Sequence, residues 1–253
     1  MGDVLSVDTT NRRLLQIEAR TSDSPMVETV WRSQSHQAGT FLSIASSRWE
    51  LIISRHEGRI YCSVRGPETY PTAALCPPNG DWVGIHFKHG VFMPHLPVGE
   101  LVDSSVDLPG AAGRSFWLHG ASWEFPTYDS AEVFIARLVK EELLTCDSVV
   151  PAVLQAQPVD LSPRSVQRRF LHATGLTHGA ISQIERAHHA VALLRGGVSI
   201  LDTVERAGYA DQPHLTRSLK RLIGQTPGQL SAQADPVQLS YSPVITLGIT
   251  PAA

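Results

Sequence analysis

Two short segments of the chain each place arginines on one face of a predicted helix. Arg164 and Arg168 lie four residues apart in the first segment, and Arg217 and Arg221 repeat that spacing in the second. Residues three or four apart share one side of an α-helix. A guanidinium donates a fork of hydrogen bonds that fits the O6 and N7 atoms of guanine, or a phosphate. Two such faces in one chain predict DNA binding.

Both segments also carry the signals of a helix start and of a buried stripe. Ser162 suits an N-cap, and Pro163 suits the first helical position, where the missing N–H has no intrahelical partner. Asp211 is the equivalent cap before the second helix, which we expect over Gln212–Ile223. The expected buried positions are Val166 and Phe170 in the first helix and Leu215, Leu219 and Leu222 in the second.

Each arginine helix follows a shorter predicted helix, so the pattern indicates two helix-turn-helix units. The leading helices are expected over Val149–Gln157 and Ile200–Ala207, with Gly208 easing the second turn. A longer helix over Ile181–Arg195 joins the units and is about 22 Å long at 1.5 Å per residue. Gly196 and Gly197 can close it in a left-handed conformation. The buried side of this helix is predicted to contain Ile184, Val191 and Leu194.

The chain before these helices has a β pattern. From Thr40 to Trp123, runs of β-branched and aromatic residues alternate with turns, and 56–58 is a plausible hairpin tip. A sandwich or small barrel fits this pattern best. Residues 130–144 then change to a helical period, which predicts a helix that links or pairs domains. Its apolar positions are Val133, Ile135, Leu138, Val139, Leu143 and Leu144.

Composition indicates a globular protein of two modest domains. The 253 residues are 42% hydrophobic and 18% charged, and no apolar run is long enough to span a membrane. The polar, acidic start of the chain does not resemble a secretory signal, so we expect a cytoplasmic protein. Three scattered cysteines predict buried free thiols instead of disulfides or a zinc site. They are Cys62, Cys76 and Cys146.

Charge is distributed unevenly between the two parts. Residues 1–146 hold 12 Lys and Arg against 17 Asp and Glu, whereas residues 147–231 hold 9 against 6. A basic module beside an acidic one is what a phosphate-binding domain attached to a partner domain would show. The expected organisation is a β-rich sensor or dimerisation domain (1–128), a linker or dimerisation helix (129–146), a DNA-binding domain (147–233) and a tail (234–253).

From Asp147 to Leu230 the sequence resembles the arabinose-regulator (AraC) family of bacterial transcription regulators. The resemblance rests on SPRSVQRRF, on a helix with Arg186 and Leu193-Leu194, and on AGYADQPHLTRSLKRLIGQTPGQL. It implies seven helices with two helix-turn-helix units, whose second helices enter successive major grooves of DNA. The part from Trp31 to Leu144 is similar to the sensor or dimerisation domain of some members. This similarity implies a cupin-like, β-rich module in an α+β chain.

The resemblance also assigns roles to individual residues. Arginine and glutamine are the side chains that most often bridge two atoms of guanine and adenine, respectively, whereas phosphate contacts hold the register without reading sequence. By position, the base contacts are Arg164, Gln167, Arg168, Gln212, His214 and Arg217, and the phosphate contacts are Arg169, Ser218, Lys220 and Arg221.

Two groups in the amino-terminal part have a functional interpretation beside a structural one. Histidines 36, 56, 86, 89 and 95 could bind a metal on a cupin-like barrel, but no carboxylate stands at a telling spacing beside them, which favours ordinary hydrogen bonding. A set of aromatic residues could line an effector pocket, although core packing is the more common role. This set is Trp82, Phe87, Phe92, Phe116, Trp117, Trp123 and Phe125.

These observations favour a transcription regulator without catalytic chemistry. A metal-dependent cupin-like enzyme fused to a DNA-binding module is the main alternative, yet no GxSxG, HExxH or phosphate-loop motif is present. A repair protein with a methyl-accepting cysteine would need a cluster of four zinc-binding cysteines, which the three scattered cysteines of this chain do not provide. A DNA-bending protein with a purely structural first domain stays open. We expect no cofactor or metal, and expect DNA, a small-molecule effector, a second copy of the chain and RNA polymerase as candidate partners.

Overall fold

The computed structural model describes residues 14–232, and the predicted tail at 234–253 lies outside them. The expected α+β organisation is confirmed, with strands in residues 15–124 followed by a helical region. The strands are β1 (Leu15–Thr21), β2 (Val27–Ser35), β3 (Gly39–Ser43), β4 (Glu50–His56), β5 (Arg59–Arg65), β6 (Thr72–Cys76), β7 (Asp81–Phe87), β8 (Val91–Phe92), β9 (Ser105–Leu108), β10 (Ser115–Leu118), β11 (Ala121–Glu124) and β12 (Thr145–Cys146).

Six of these strands form one antiparallel sheet in the order β1-β2-β7-β4-β5-β9. The remaining strands pair as β3 with β6, β10 with β11 and β8 with β12. The predicted hairpin tip between β4 and β5 is confirmed, since Glu57 and Gly58 have φ of 50° and 74°. Positive φ at both central residues is what a tight two-residue hairpin turn requires.

The two faces of the six-stranded sheet differ in polarity. On one face Leu51 and Ile85 are fully buried in a cluster that also contains Phe134 and Ile135 of the following helix. On the other face Trp31 lies opposite Gly84, where an added Cβ would stand 2.0 Å from the indole. A glycine is therefore required for the indole to lie over β7. This second face is the polar one.

A buried pair of a carboxylate and a histidine lies on the polar face. An oxygen of Glu50 is 2.7 Å from Nε2 of His86 and accepts a hydrogen bond from the Trp31 indole at 3.1 Å. Burial alone would raise the pKa of Glu50, but the charge and hydrogen bond of His86 outweigh it, so this pKa is lowered. No local pattern predicts that a carboxylate stands beside a histidine here, because the two residues meet only across paired strands.

The helical region contains every helix predicted from the residues, with changes of boundary, and one further short helix at its end; the described residues after 147 form six helices, where the resemblance implied seven. The helix predicted over 130–144 ends at Lys140, because the chain reverses through Glu142, which has φ of 56°. The helix predicted over 149–157 ends at Leu154 for the same reason, with Ala156 at φ 52°. The helices are α1 (Ala131–Lys140), α2 (Val149–Leu154), α3 (Pro163–Thr174), α4 (His178–Arg195), α5 (Ile200–Arg206), α6 (Gln212–Leu222) and α7 (Pro227–Ala232).

The thiols follow the prediction at two positions and depart from it at the third. Cys62 and Cys76 are buried and free, but Cys146 is exposed. Cys146 lies in β12, which pairs with β8 and has no strand on its other side in the described part of the chain. Successive side chains of a strand point to opposite faces, and Cys146 falls on the uncovered face of this two-stranded pair, which is why the expectation of a buried thiol was wrong there.

A short connection from the β-rich part is built into the core of the helical part. We call this connection, residues 44–48 between β3 and β4, the strap. Ile44 and Ala45 are 2% and 0% exposed and belong to the hydrophobic cluster of the helices. The main chain of Ala45 is bonded on both sides: its N–H donates to Leu222 O at 2.9 Å, and its oxygen accepts from His188 Nε2 at 2.7 Å.

A second contact between the strap and α4 lies about one helical turn from His188, at Glu185. Arg48 donates to Glu185 at 2.8 Å, and the hydroxyl of Ser47 is hydrogen bonded to Glu185 and, at 2.9 Å, to His89. Burial and the nearby Arg48 lower the pKa of His89 to about 3. Burial alone would raise the pKa of Glu185, but Arg48 and then His188 and His89 outweigh it and lower the value to about 2.

These shifts predict that acid weakens the folded state. In the unfolded chain, His89 binds a proton below about pH 6.5 and Glu185 below about pH 4.5. In the folded chain the same two groups bind their protons only near pH 3 and pH 2. The free energy of unfolding should therefore fall as pH drops below about 6.5 and continue to fall toward pH 3. Urea denaturation at a series of pH values measures this dependence. His89→Gln should make the slope shallower between about pH 6.5 and 4.5, where burial also lowers the pKa values of His188 and His95 and leaves part of the slope in place. An unchanged slope would contradict the assignment, and His36→Gln, at an exposed position, is the matched control.

Candidate nucleic-acid interface

The first arginine helix, α3, begins as the sequence predicted. Ser162 has extended backbone dihedrals and its hydroxyl accepts from the N–H of Ser165 at 3.3 Å, with Pro163 at the first position. Phe170 is buried and Val166 half-buried, so the predicted packing side is confirmed. Arg164, Gln167 and Arg168 are all exposed, and with Ser165 and Leu171 they line one shallow depression on the surface.

The second arginine helix, α6, has the same construction. The carboxylate of Asp211 accepts from the N–H of His214 at 2.6 Å, which confirms the predicted cap. The predicted stripe of Leu215, Leu219 and Leu222 is buried, with exposures of 0%, 0% and 2%. Gly208 takes φ of 67° in the turn before it. The exposed residues on the opposite side are Gln212, Arg217, Lys220 and Arg221.

Tyr209 orients the remaining polar residues of α6. The ring of His214 stands edge-on to the Tyr209 ring at 5.1 Å between centroids, and the Tyr209 hydroxyl is 3.1 Å from that of Ser218. Arg186 of α4 lies over the same ring, with its guanidinium carbon 4.6 Å from the centroid. Sequence reasoning missed Tyr209 as a positioning residue, although its place directly after the turn glycine was an available signal.

The four predicted phosphate contacts differ in how strongly the protein already holds them. Arg169 donates to Asp147 at 2.8 Å, and that hydrogen bond raises the pKa of the guanidinium. Arg221 donates to Gln183 on α4. Ser218 is shared with Tyr209, whereas Lys220 is exposed. The roles of these residues toward DNA stay predictions, and the structure adds that Arg169 and Arg221 also tie the recognition helices to the rest of the fold.

Asp147 is a second residue that the sequence did not single out. One carboxylate oxygen pairs with Arg169, the other accepts from the N–H of Val149 at 2.9 Å, and its own N–H donates to Gly90 O at 2.8 Å. The side chain therefore links α3 to the start of α2 and to the β-rich part. This role depends on partners that lie 22 residues away (Arg169) and farther (Gly90) in the sequence, and no local sequence pattern predicts such contacts.

Helix α4 connects the two units and is longer than predicted. It begins at His178 instead of Ile181, because Thr177 caps it by accepting from the N–H of Ala180 at 3.1 Å. Its 18 residues correspond to about 27 Å. At the far end Gly197 has φ of 81°, as expected for a left-handed closing residue.

The histidines of the β-rich part are divided among separate contacts. His86 pairs with Glu50, His89 with Ser47, and His95 lies 4.6 Å from His119 between ring centroids. Within residues 14–232 no group of three or more His, Cys, Asp or Glu side chains converges as metal ligands would. Over the same range no helix has the length and apolar character to cross a membrane.

The aromatic residues serve mainly as core, as the structural interpretation predicted. Phe87, Phe116 and Trp123 are buried in the cluster under α1, and Phe92 and Phe125 are half-buried against it. Trp117 is 44% exposed. The exception is Trp82, which lies on the polar face of the sheet and lines a cavity of about 260 Å³ with residues of β3 and β6.

Comparison with known proteins is consistent with this geometry. Residues 155–233 match a family described as a helix-turn-helix domain. The HTH-type transcriptional regulator VirS of Mycobacterium tuberculosis, in strains CDC 1551 / Oshkosh and ATCC 25618 / H37Rv, is 38% identical over 78 residues. That segment is 30% of this chain and only 23% of the relative. No solved structure matches this chain. Residues 155–233 are therefore similar to the helix-turn-helix domains of transcriptional regulators.

Proposed function

We propose that this chain is a sequence-specific DNA-binding transcription regulator that reads two successive major grooves with α3 and α6. The supporting observation is that both helices are capped, buried on one side and cationic on the exposed side, within a segment that matches the helix-turn-helix family. The connecting α4, at about 27 Å, spans most of the ~34 Å that separates successive major-groove faces. The similarity to a transcriptional regulator supports the same function.

The proposal assigns base reading to the exposed arginines. A duplex is first enriched from a random-sequence DNA pool with the wild-type chain, and its Kd is compared with that of a scrambled duplex at one salt concentration. A bidentate arginine–guanine pair discriminates by about 1–3 kcal/mol. Arg168→Ala combined with Arg217→Ala should therefore reduce the specificity ratio at least about tenfold. A ratio unchanged from wild type would show that these residues do not read bases.

Lys220→Ala is the matched control on the same helix. Its side chain is exposed and is predicted to contact phosphate. This variant should weaken both duplexes equally and make the salt dependence shallower by about one unit of slope. A loss confined to the enriched duplex would reassign Lys220 to base reading.

The proposal places effector sensing in the cavity between the polar sheet face and the β3–β6 pair. Its volume of about 260 Å³ lies just below the ~300–1,000 Å³ of typical ligand pockets and so suits only a compact molecule. The lining combines apolar side chains with hydroxyls and one guanidinium, and the guanidinium of Arg65 is already paired with Glu68 at 2.7 Å. A compact ligand with hydroxyl groups and an apolar face fits this chemistry. The lining residues that carry the argument are Phe41, Ile52, Ser54, Ser63, Arg65 and Trp82.

Thermal unfolding in a panel of small polyols and hydroxy acids tests this site. A ligand at about 100 times its Kd stabilises the folded state by about 2.7 kcal/mol, which raises Tm. Ala74→Phe, which places a ring in the cavity wall, should abolish the shift while retaining DNA binding. A panel that stabilises neither protein, or both equally, would contradict binding in this cavity.

We propose further that the chain is a homodimer through the outer face of α1. Val133 and Val139 are 67% and 36% exposed, and Ala136 lies between them at the same three-residue spacing. This apolar stripe is larger than the packing of α1 on the sheet requires. Sedimentation at micromolar concentration should give a dimer, and Val133→Lys a monomer. Monomer alone for the wild type would count against the dimer.

A further inference from the structure

The strap, residues 44–48, lies where the connector α4 and the second recognition helix α6 come together. Ala45 donates to the last turn of α6 through Leu222 O and accepts from α4 through His188. The last carbonyls of a helix have no partner within the helix. One residue of the β-rich part therefore caps α6 and holds α4 at the same time.

A buried ion pair reinforces the same contact. Arg48 and Glu185 are 12% and 18% exposed, with 2.8 Å between Arg48 Nη1 and Glu185 Oε1. Glu185 precedes His188 by three residues, so both contacts of the strap fall on one side of α4. The strap is thus bound to α4 at two points and to α6 at one.

The opposite side of the strap is anchored in the β-rich part. Ser46 and Glu68 exchange two backbone hydrogen bonds of 2.8 and 2.9 Å. Trp49, directly after the strap, stacks on Phe87 with 3.8 Å between ring centroids and donates to Val91 O at 2.6 Å. A movement of α4 or α6 relative to the sheet would have to break one of these sets of contacts.

The first recognition helix is held by the β-rich part at a separate place. Asp147 ties Arg169 of α3 to the backbone of Gly90. Gly175, which ends α3, packs so closely that an added Cβ would stand 3.0 Å from Val98 O and 3.1 Å from Gly99 Cα. Both helix-turn-helix units therefore contact one common body besides α4.

We propose that the β-rich domain acts as a brace that fixes the separation and angle of α3 and α6, holding α6 and α4 through the strap and α3 through the contacts at Gly90 and Val98, so that α4 is not the sole spacer between them. This inference rests on the proposed function. Its consequence is a requirement for one spacing between the two contacted grooves. A rigid pair of binding elements gains from linkage only when the geometry lets both bind at once.

The test compares two duplexes and four proteins: the wild type, two variants of the brace and one control. One duplex is the one that the wild type enriches from a random-sequence pool. The other carries one extra base pair between the two segments of that duplex that the wild type protects from cleavage in a footprinting experiment. The insertion rotates the second groove by about 36°, so the wild type should lose affinity about tenfold or more. The measured quantity is the ratio of the affinities for the enriched duplex and for the duplex with the insertion. The double variant Arg48→Gln with Glu185→Gln removes both charges of the brace together, and should reduce this ratio by about threefold or more.

Glu18→Gln is the matched control, because it breaks the exposed pair with Arg32 on the same domain without touching a helix. Its ratio should equal that of the wild type. Ser47→Ala is a milder second variant, which removes the hydroxyl that bonds Glu185 and His89 but leaves both charges in place. It should lower the same affinity ratio, and it serves if the double variant does not fold. A folded double variant, or a folded Ser47→Ala, with the wild-type ratio would overturn the brace. Failure of the wild type to enrich any duplex would instead overturn the proposed function.

Discussion

The structure depends on the junction at Ala45, whose main chain is bonded to α6 on one side and to α4 on the other. Because Ile44 and Ala45 are also part of the hydrophobic cluster of the helices, the two parts of the chain share one core at this point. Two domains joined only by a linker would be expected to move relative to each other. Here the shared core and the buried pair of Arg48 and Glu185 oppose that movement.

The junction is continuous with the cavity on the polar face of the sheet. Strand β3 provides Phe41 to the cavity wall and leads directly into the strap at Ile44. On the other side of the strap, β4 begins with Glu50, the buried partner of His86. A ligand that displaced β3 would therefore act on the segment that contacts α4 and α6. The fold places the proposed sensing site and the proposed brace on one stretch of chain.

The cations of α3 and α6 fall into two groups by their surroundings. Arg164, Arg168 and Arg217 are exposed on the outer faces, as side chains that enter a groove must be. Arg169 is paired with Asp147, and Arg221 is bonded to Gln183 on α4. A guanidinium has five donors, so an internal partner leaves donors for a phosphate. Position on the helix thus separates the exposed arginines, which we propose read bases, from the arginines that hold the fold, more sharply than residue type does.

The sequence by itself determined the helices and their outward faces. The caps at Ser162 and Asp211, the stripe at Leu215, Leu219 and Leu222, and the turn at Gly208 are local signals, and each one is present in the structure. Helix ends at Lys140 and Leu154 were misjudged because the reversal occurs at non-glycine residues with positive φ, which composition does not mark. Only the tertiary structure decided which partners meet across the chain: Glu50 with His86, Asp147 with Arg169, and Ala45 with both α4 and α6. These contacts join residues up to 177 positions apart, and buried polar groups find such partners through packing, which no periodicity in the sequence encodes.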